Sequence, residues 1–371
     1  MAQRQASSAS QTPLISPAEL SYLYTSLALP NNPIRPDGRS PTQFRPLTAE
    51  TDILPGTNGS ARVGFADGTQ AIVGVKAEVE KTTDVPTNPD DSAPKTVSGH
   101  GSWVQMAIEI PGYRDDDALP VFLSEMMREP LVESVSNGDG ADGMAGGLKG
   151  RLVINRRWHW RLYIDVLLLS QPLSYPLPLL SLTTHLALLA TKLPKLKSQG
   201  EEDPFFDDDW NAAEYLYPRT RTHTPAVAAS AAVRPPVTLL VIAVGDNVIF
   251  DPSREEIAVA DAILAISVSR DATDTDGPLR VLSVRTIDPP SRLTQPAVPN
   301  AENVATLGST AAAEEAVVIN PSTDEEDVPG VWRPRRGGVK RATVAKMVKL
   351  VLRKGGVGEE VLEGLEGVEV G

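Results

Sequence analysis

Trp160-Arg161-Leu162-Tyr163-Ile164-Asp165-Val166-Leu167-Leu168-Leu169 decides the fold class. It begins with apolar and polar residues alternating and closes on four apolar residues in a row, the pattern of a strand buried in the middle of a sheet. Residues 177–193 continue as an apolar stretch too long for a strand and are expected to form a buried helix. Residues 166–193 together have the hydropathy of a membrane span. However, Pro172, Pro176 and Pro178 interrupt them and Thr183, Thr184 and His185 lie inside, so strand, loop and buried helix is the reading and no membrane contact is expected.

Upstream, residues 47–54, 60–65 and 70–79 are rich in β-branched and alternating residues. Gly56-Thr57-Asn58-Gly59 and Ala66-Asp67-Gly68-Thr69 separate them as tight turns, so an antiparallel meander is predicted, with Gly38, Gly59 and Gly68 where turns need positive φ. Ser16-Pro17-Ala18-Glu19 is a capping box with proline at the first helical position, predicting a helix to Leu29. Strands are also expected at 103–110, 151–155, 237–244, 247–250, 262–268 and 279–286, and a helix at 119–127. Two β-rich halves carrying helices predict one α+β domain over 16–288, with an internal duplication of shape. Insertions fall near 81–100, 134–147 and 200–236. Residues 1–15 read as a disordered tail, and 289–330, rich in alanine, proline and acid, as a disordered linker. In the C-terminal segment 331–371, residues 333–354 carry many cations and no acid, with Val344, Met347, Val348, Val351 and Leu352 at helical spacing: a basic amphipathic helix.

With 371 residues, 41% of them hydrophobic, the chain can bury a sizeable core; its 32 prolines and 28 glycines cluster, pointing to long loops inserted into a compact fold. The absence of cysteine excludes a disulfide scaffold, a thiolate zinc site and a cysteine nucleophile, and fits a reducing compartment. Residues 1–12 are polar, with no apolar stretch for a secretory signal. A net charge of −13 opposes gripping nucleic acid with the whole surface, so any nucleic-acid contact must come from a local basic patch or from partners.

Several blocks carry a resemblance. Arg35-Pro36-Asp37-Gly38-Arg39, Phe44-Arg45-Pro46-Leu47, Glu50-Thr51-Asp52, Gly59-Ser60-Ala61-Arg62-Val63 and Gly74-Val75-Lys76-Ala77-Glu78-Val79 resemble the N-terminal signature of RNase PH-fold subunits of the eukaryotic exosome. The 160–169 strand and Phe250-Asp251-Pro252-Ser253-Arg254-Glu255-Glu256 resemble two further blocks of that family, in the right order. The resemblance covers roughly 16–288 and the last helix, and is strongest to one non-catalytic ring paralogue. It implies the RNase PH fold, a ribosomal-protein-like βαβ duplication with antiparallel and mixed sheets packed on helices. Six such subunits are expected to close a ring around an RNA channel.

Phosphorolysis needs a phosphate pocket, usually backbone amides of a Gly-rich turn backed by arginine, and carboxylates that hold a metal or a proton. Active relatives are expected to follow the strand at 164–169 with Gly-Gly-Thr-Arg. This chain has Ser170-Gln171-Pro172-Leu173-Ser174-Tyr175-Pro176 there, where prolines remove amides. Active relatives are also expected to carry an aspartate directly after the glutamate pair; here Ile257 follows Glu255-Glu256, leaving Asp251 without its partner. No catalytic residue is therefore assigned and no cofactor is expected. His100, His159, His185 and His223 lack ligand spacing, and so does Asp207-Asp208-Asp209, so no metal site is expected.

Arginines remain. Arg35, Arg39, Arg45 and Arg62 surround the first turns, and Arg114 and Arg128 flank the helix at Leu119. The resemblance implies that such positions face RNA or a neighbouring subunit; intramolecular pairs of Arg39 or Arg45 with Asp37, Glu50 or Asp52 are an equal alternative, since guanidinium forks suit carboxylates as well as phosphates. The partners it implies are the other RNase PH-like ring subunits (nearest, messenger RNA transport regulator 3), cap subunits, an associated nuclease and RNA in the channel, in nucleus, nucleolus and cytoplasm. The apolar strand and helix are expected to pair across the neighbour's interface. Two other functions stay open: a phosphate-dependent exoribonuclease whose pocket a neighbour completes, and a free-standing RNA-binding adaptor using the basic helix.

Overall fold

The structure is a computed structural model that describes residues 15–30, 32–82, 99–132, 148–217, 234–270, 279–287 and 339–369. Helix α1 (Pro17–Leu27) opens on the expected capping box: Ser16 Oγ accepts from the Glu19 amide at 3.2 Å, and the Glu19 carboxylate accepts from the Ser16 amide at 2.9 Å. It stops two residues earlier than the apolar pattern allows, before Pro30.

Strands β1 (Leu47–Thr51), β2 (Gly59–Phe65) and β3 (Gln70–Lys81) form the predicted meander. After a short 3-10 turn at Gly101–Trp103 come β4 (Val104–Glu109), α2 (Ala118–Val132) and α3 (Leu148–Arg151), then β5 (Trp158–Leu168) and α4 (Leu177–Ala190). The five strands make one sheet in the order β1-β2-β3-β5-β4. β3 and β5 run antiparallel from Ala71 opposite Leu168 to Lys81 opposite Trp158, while β4 lies parallel to β5. This is the mixed sheet expected.

α4 packs on β1, β2, β3 and β5, and all fourteen of its residues are buried. Thr183 and Thr184 are tolerated there because their hydroxyls donate to the Leu179 and Leu180 carbonyls at 2.7 and 2.8 Å. A helix buried all round within its own chain has no face left for a neighbour, so the expected pairing of this helix across an interface is corrected. The apolar end of β5 is corrected in the opposite sense. Val166 and Leu168 are buried against α4, but Leu167 is 40% and Leu169 43% exposed, since successive side chains in a strand point to opposite faces whatever their hydropathy.

Further strands are β6 (Lys192–Leu193), β7 (Glu214–Tyr215), β8 (Val237–Val244), β9 (Asn247–Phe250), β10 (Ala262–Arg270) and β11 (Leu279–Ile287). Helix α5 (Arg254–Ala258) follows β9, and α6 (Arg341–Val351) and α7 (Val357–Glu366) come last. A second sheet has the order β11-β10-β8-β9, with β8 buried along its whole length. The residues group into two compact units: Met1–Phe44 with Leu240–Ala265 and Arg285–Lys349, and Arg45–Leu239 with Ile266–Val284 and Leu350–Gly371.

Three local expectations change. Residues 151–155 form no strand; Val153 makes a single antiparallel bridge to His159 as the chain turns back into β5. Gly38 and Gly68 do have positive φ, 74° and 88°, but Gly59 does not. Gly59 is required by space instead, because a Cβ there would lie 2.5 Å from the Thr191 Cα. The basic helix expected at 333–354 runs over Arg341–Val351 among the described residues, and a second helix, α7, follows Gly355 (φ 64°) and Gly356. The expected disorder at 289–330, the glycine-rich loop at 134–147 and most of the insertion at 81–100 lie outside the described residues. Among the described residues no helix is long and apolar enough to cross a membrane.

Candidate functional site

The block Phe250-Asp251-Pro252-Ser253-Arg254-Glu255-Glu256 lies at the end of β9 and the start of α5. Ser253 caps α5: its Oγ accepts from the Glu256 amide at 3.3 Å while Glu256 Oε2 accepts from the Ser253 amide at 2.8 Å. This reciprocal box turns the Glu256 carboxylate back toward the loop at 35–43.

There it meets Arg35, whose guanidinium is wholly buried and grips it with both arms, Nε to Oε1 at 2.8 Å and Nη2 to Oε2 at 2.9 Å. The same guanidinium donates to the carbonyls of Ser40, Phe250 and Asp251 at 3.2, 3.2 and 2.9 Å. Arg39 completes the cluster: its Nη1 reaches Asp251 Oδ2 at 2.7 Å, its Nη2 the Asp251 carbonyl at 3.0 Å, and its Nε Asp37 Oδ2 at 2.5 Å. Asp251 sits at φ 45°, a left-handed conformation costing a non-glycine residue about 1–2 kcal/mol. Two guanidiniums converging on its carbonyl hold it there. The arrangement is a closed charge lattice: Arg35, Glu256 and Asp251 are wholly buried, Arg39 is nearly so, and Asp37 closes the cluster at its exposed rim.

The remaining arginines lie elsewhere. Arg45 stacks over Phe65 with 4.2 Å to the ring centre and donates to Asp67 Oδ2 at 2.6 Å and Ser174 Oγ at 2.9 Å. It pairs with Asp67, not with the expected Asp37, Glu50 or Asp52. Burial alone would raise the Asp67 carboxyl, but hydrogen bonds from Thr69 and the Arg45 charge outweigh it and hold the group below the ordinary range. Arg62 donates to Gln70 Oε1 at 2.5 Å. Arg128 clasps Glu125 through Nε and Nη2 at 2.9 and 2.8 Å and donates to the Gly101 carbonyl at 3.0 Å. Arg114 is the exposed one, 3.1 Å from an equally exposed Asp116. Of the six, the structure brings together Arg35 and Arg39.

The turn at 170–176 is occupied by its own chain. Ser170 Oγ accepts from the Gln70 amide at 3.2 Å, Ser174 Oγ is taken by Arg45, and burial pushes the Tyr175 hydroxyl well above its usual value. Pro172 and Pro176 contribute no N–H to an anion. A groove of about 950 Å³ lies between α2 and the β4–β5 face, lined among others by Gln105, Glu125, Arg128, Arg161, Tyr163 and Asp165. Among the described residues no three acidic or histidine side chains gather as a metal site. His159 stacks flat on Trp103 at 4.0 Å instead, and His223 lies outside the described residues.

The RNase PH model, described as the 3′ exoribonuclease family, domain 1, matches residues 43–194. The exosome complex component RRP42 of Saccharomyces cerevisiae is 32% identical over 262 residues, covering 69% of this chain and 82% of the relative. The chain belongs to the Rrp42 family. The Schizosaccharomyces pombe exosome complex component rrp42 is 31% identical over 67% of this chain and 77% of its own length. Among solved structures, an Archaeoglobus fulgidus exosome with RNA bound to the active site matches at 20% identity and a TM-score of 0.45, covering 81% of this chain and 92% of that one.

Sequence reasoning missed Glu256 in this Rrp42-family chain. The signal for it lay in the glutamate pair itself and not in the residue that follows, since Ser253-x-x-Glu256 is a capping box. Its pairing with Arg35, 221 residues away, has no local sequence signature.

Proposed function

We propose that this chain is a non-catalytic structural subunit of the exosome core ring, supporting 3′-to-5′ RNA processing and degradation by an associated nuclease. The observation that carries the reading is the closed lattice at the family's carboxylate block. The Asp251 carboxylate, the acid left at this position, is wholly buried and held by Arg39 at 2.7 Å, which leaves it unsuited to hold a metal or exchange a proton with a substrate. The proline-bearing turn at 170–176 agrees, since it presents neither the glycines nor the arginine that an anion pocket needs. Family membership supports the ring role, with other RNase PH-like subunits as neighbours (nearest, messenger RNA transport regulator 3), cap subunits above them, and nucleus, nucleolus and cytoplasm as the places of action.

Leu167, Leu169 and Leu173, 40%, 43% and 58% exposed, are large apolar side chains left available to a neighbouring subunit. Co-expression with the other ring subunits, followed by size-exclusion chromatography and an RNA decay assay in phosphate buffer, tests the reading. Co-migration in a ring that releases no nucleoside diphosphate is expected. Phosphate-dependent release by this chain, lost in Asp251→Asn, would overturn it.

A further inference from the structure

Most arginines singled out by the sequence are bound to groups of their own chain, whereas α6 carries exposed cations on one helix with no ion pair among the described residues. Between Asp327 and Glu359 the sequence holds nine cations and no acid, in a chain of net charge −13. Met347 and Val351 of α6 are fully buried and anchor the helix, while Arg341, Ala342, Ala345, Lys346 and Lys349 are exposed. At 100° per residue, Arg341, Ala345 and Lys349 form one row, and the two cations stand roughly 12 Å apart along the axis. Lys346, at the margin of this row, donates its Nζ to the Asp246 carbonyl, which steadies the helix. Lys340, Arg341 and Lys349 make no ion pair among the described residues.

The exposed face limits what it can bind. It carries nothing apolar larger than alanine, so it lacks the aromatic or aliphatic anchor on which a protein partner's affinity concentrates. Its apolar face is consumed by Met347 and Val351, so it cannot insert into a lipid surface as an interfacial helix does. A row of cations without an apolar anchor matches a repeating, strongly charged and sequence-independent ligand, the phosphodiester backbone. We propose that the exposed row of α6, centred on Arg341 and Lys349, binds single-stranded RNA through its phosphates and without sequence preference. The phosphate chemistry stands on α6 alone; that the strand is RNA rests on the exosome reading.

The test is fluorescence anisotropy of the full chain with a labelled oligouridylate of about 20 nucleotides, from about 50 to 200 mM salt. Arg341→Glu/Lys349→Glu should weaken binding at least roughly tenfold and flatten the log–log salt slope by about 1.4, two contacts at about 0.7 each. Arg341→Lys/Lys349→Arg should keep both. An oligocytidylate of equal length should bind within about threefold of the oligouridylate. Should the double reversal fail to fold by circular dichroism, Lys349→Gln reads the same slope with a change of about 0.7. Unchanged affinity and slope in the charge-altered variants, or tighter binding of polyglutamate or phosphatidylserine vesicles than of RNA, would overturn the proposal. Co-migration of the reversed variant with ring subunits is read in parallel, so failure of RNA binding and failure of the ring role are told apart.

Discussion

Replacing Glu256 with alanine would strip a buried guanidinium of its counter-charge while leaving the guanidinium in place. Both side chains are fully buried, with Nε–Oε1 at 2.8 Å. Breaking such a pair from one side costs about 3–5 kcal/mol, because the surviving charge has neither water nor partner. For a domain of about 150–250 residues, each kcal/mol moves the melting temperature by roughly 2–4 °C, so Glu256→Ala should lower it by roughly 6–20 °C. Glu256→Gln keeps an acceptor for Arg35 and for the Ser253 amide, and should cost about 1–3 kcal/mol. Arg35→Met/Glu256→Leu removes both charges and should recover part of the loss, although the carbonyls of Ser40, Phe250 and Asp251 lose their donor. Urea unfolding of the parent, Arg35→Met, Glu256→Leu and the double variant gives the coupling energy, and amide exchange at 35–43 and 250–256 reads the local effect. A loss below about 1 kcal/mol in Glu256→Ala, with unchanged exchange in both segments, would refute the claim that this pair locks the loop to the β9–α5 turn.

Three further outcomes are expected. Gly59→Ala forces a Cβ to 2.5 Å from backbone of Thr191 and should destabilise by more than about 2 kcal/mol. Gly68→Ala, with open space but φ 88°, should cost only about 1–2 kcal/mol, and thermal melts rank the two. Burial holds the His159 imidazole below its ordinary pKa, against the pull of the Glu80 carboxylate and with the Arg161 charge acting in the same sense as burial. The unfolded chain therefore takes up its proton first as pH falls: the stability from neutral His159 is present above about pH 6.5 and is lost as pH drops through the folded value. Urea titrations across this window should show a slope that His159→Phe reduces. Leu169→Lys/Leu173→Lys should leave unfolding within about 0.5 kcal/mol of the parent, because both side chains are exposed, but should weaken co-migration with ring subunits.

The elements legible in the sequence were those with a local cause. The capping box at Ser16, the turn at Gly68 and the alternation through β2 and β3 each lie within a few residues of what they specify, and the first sheet was readable for that reason. The strand expected at 151–155 was not real, because five residues, three of them apolar, cannot by themselves show whether a partner strand exists. The end of the basic helix was signalled locally by Gly355-Gly356, and the expected boundary at Lys354 lies three residues past the observed one at Val351. At the candidate site, the sequence identified the arginines and Ile257 after the glutamate pair, yet could not separate an arginine facing a ligand from one facing its own chain.

The sequence by itself determined the order of strands and helices, the family and a proline-bearing turn without glycine at 170–176, since these reside in residue types and short spacings. Tertiary structure alone decided that Arg35 belongs to Glu256 and Arg39 to Asp251, that Gly59 is required by Thr191, and that Leu167 faces outward while Leu168 does not. Each of these depends on which distant backbone arrives beside a side chain and on which side of the sheet, information carried by chain closure and packing density and absent from any local window.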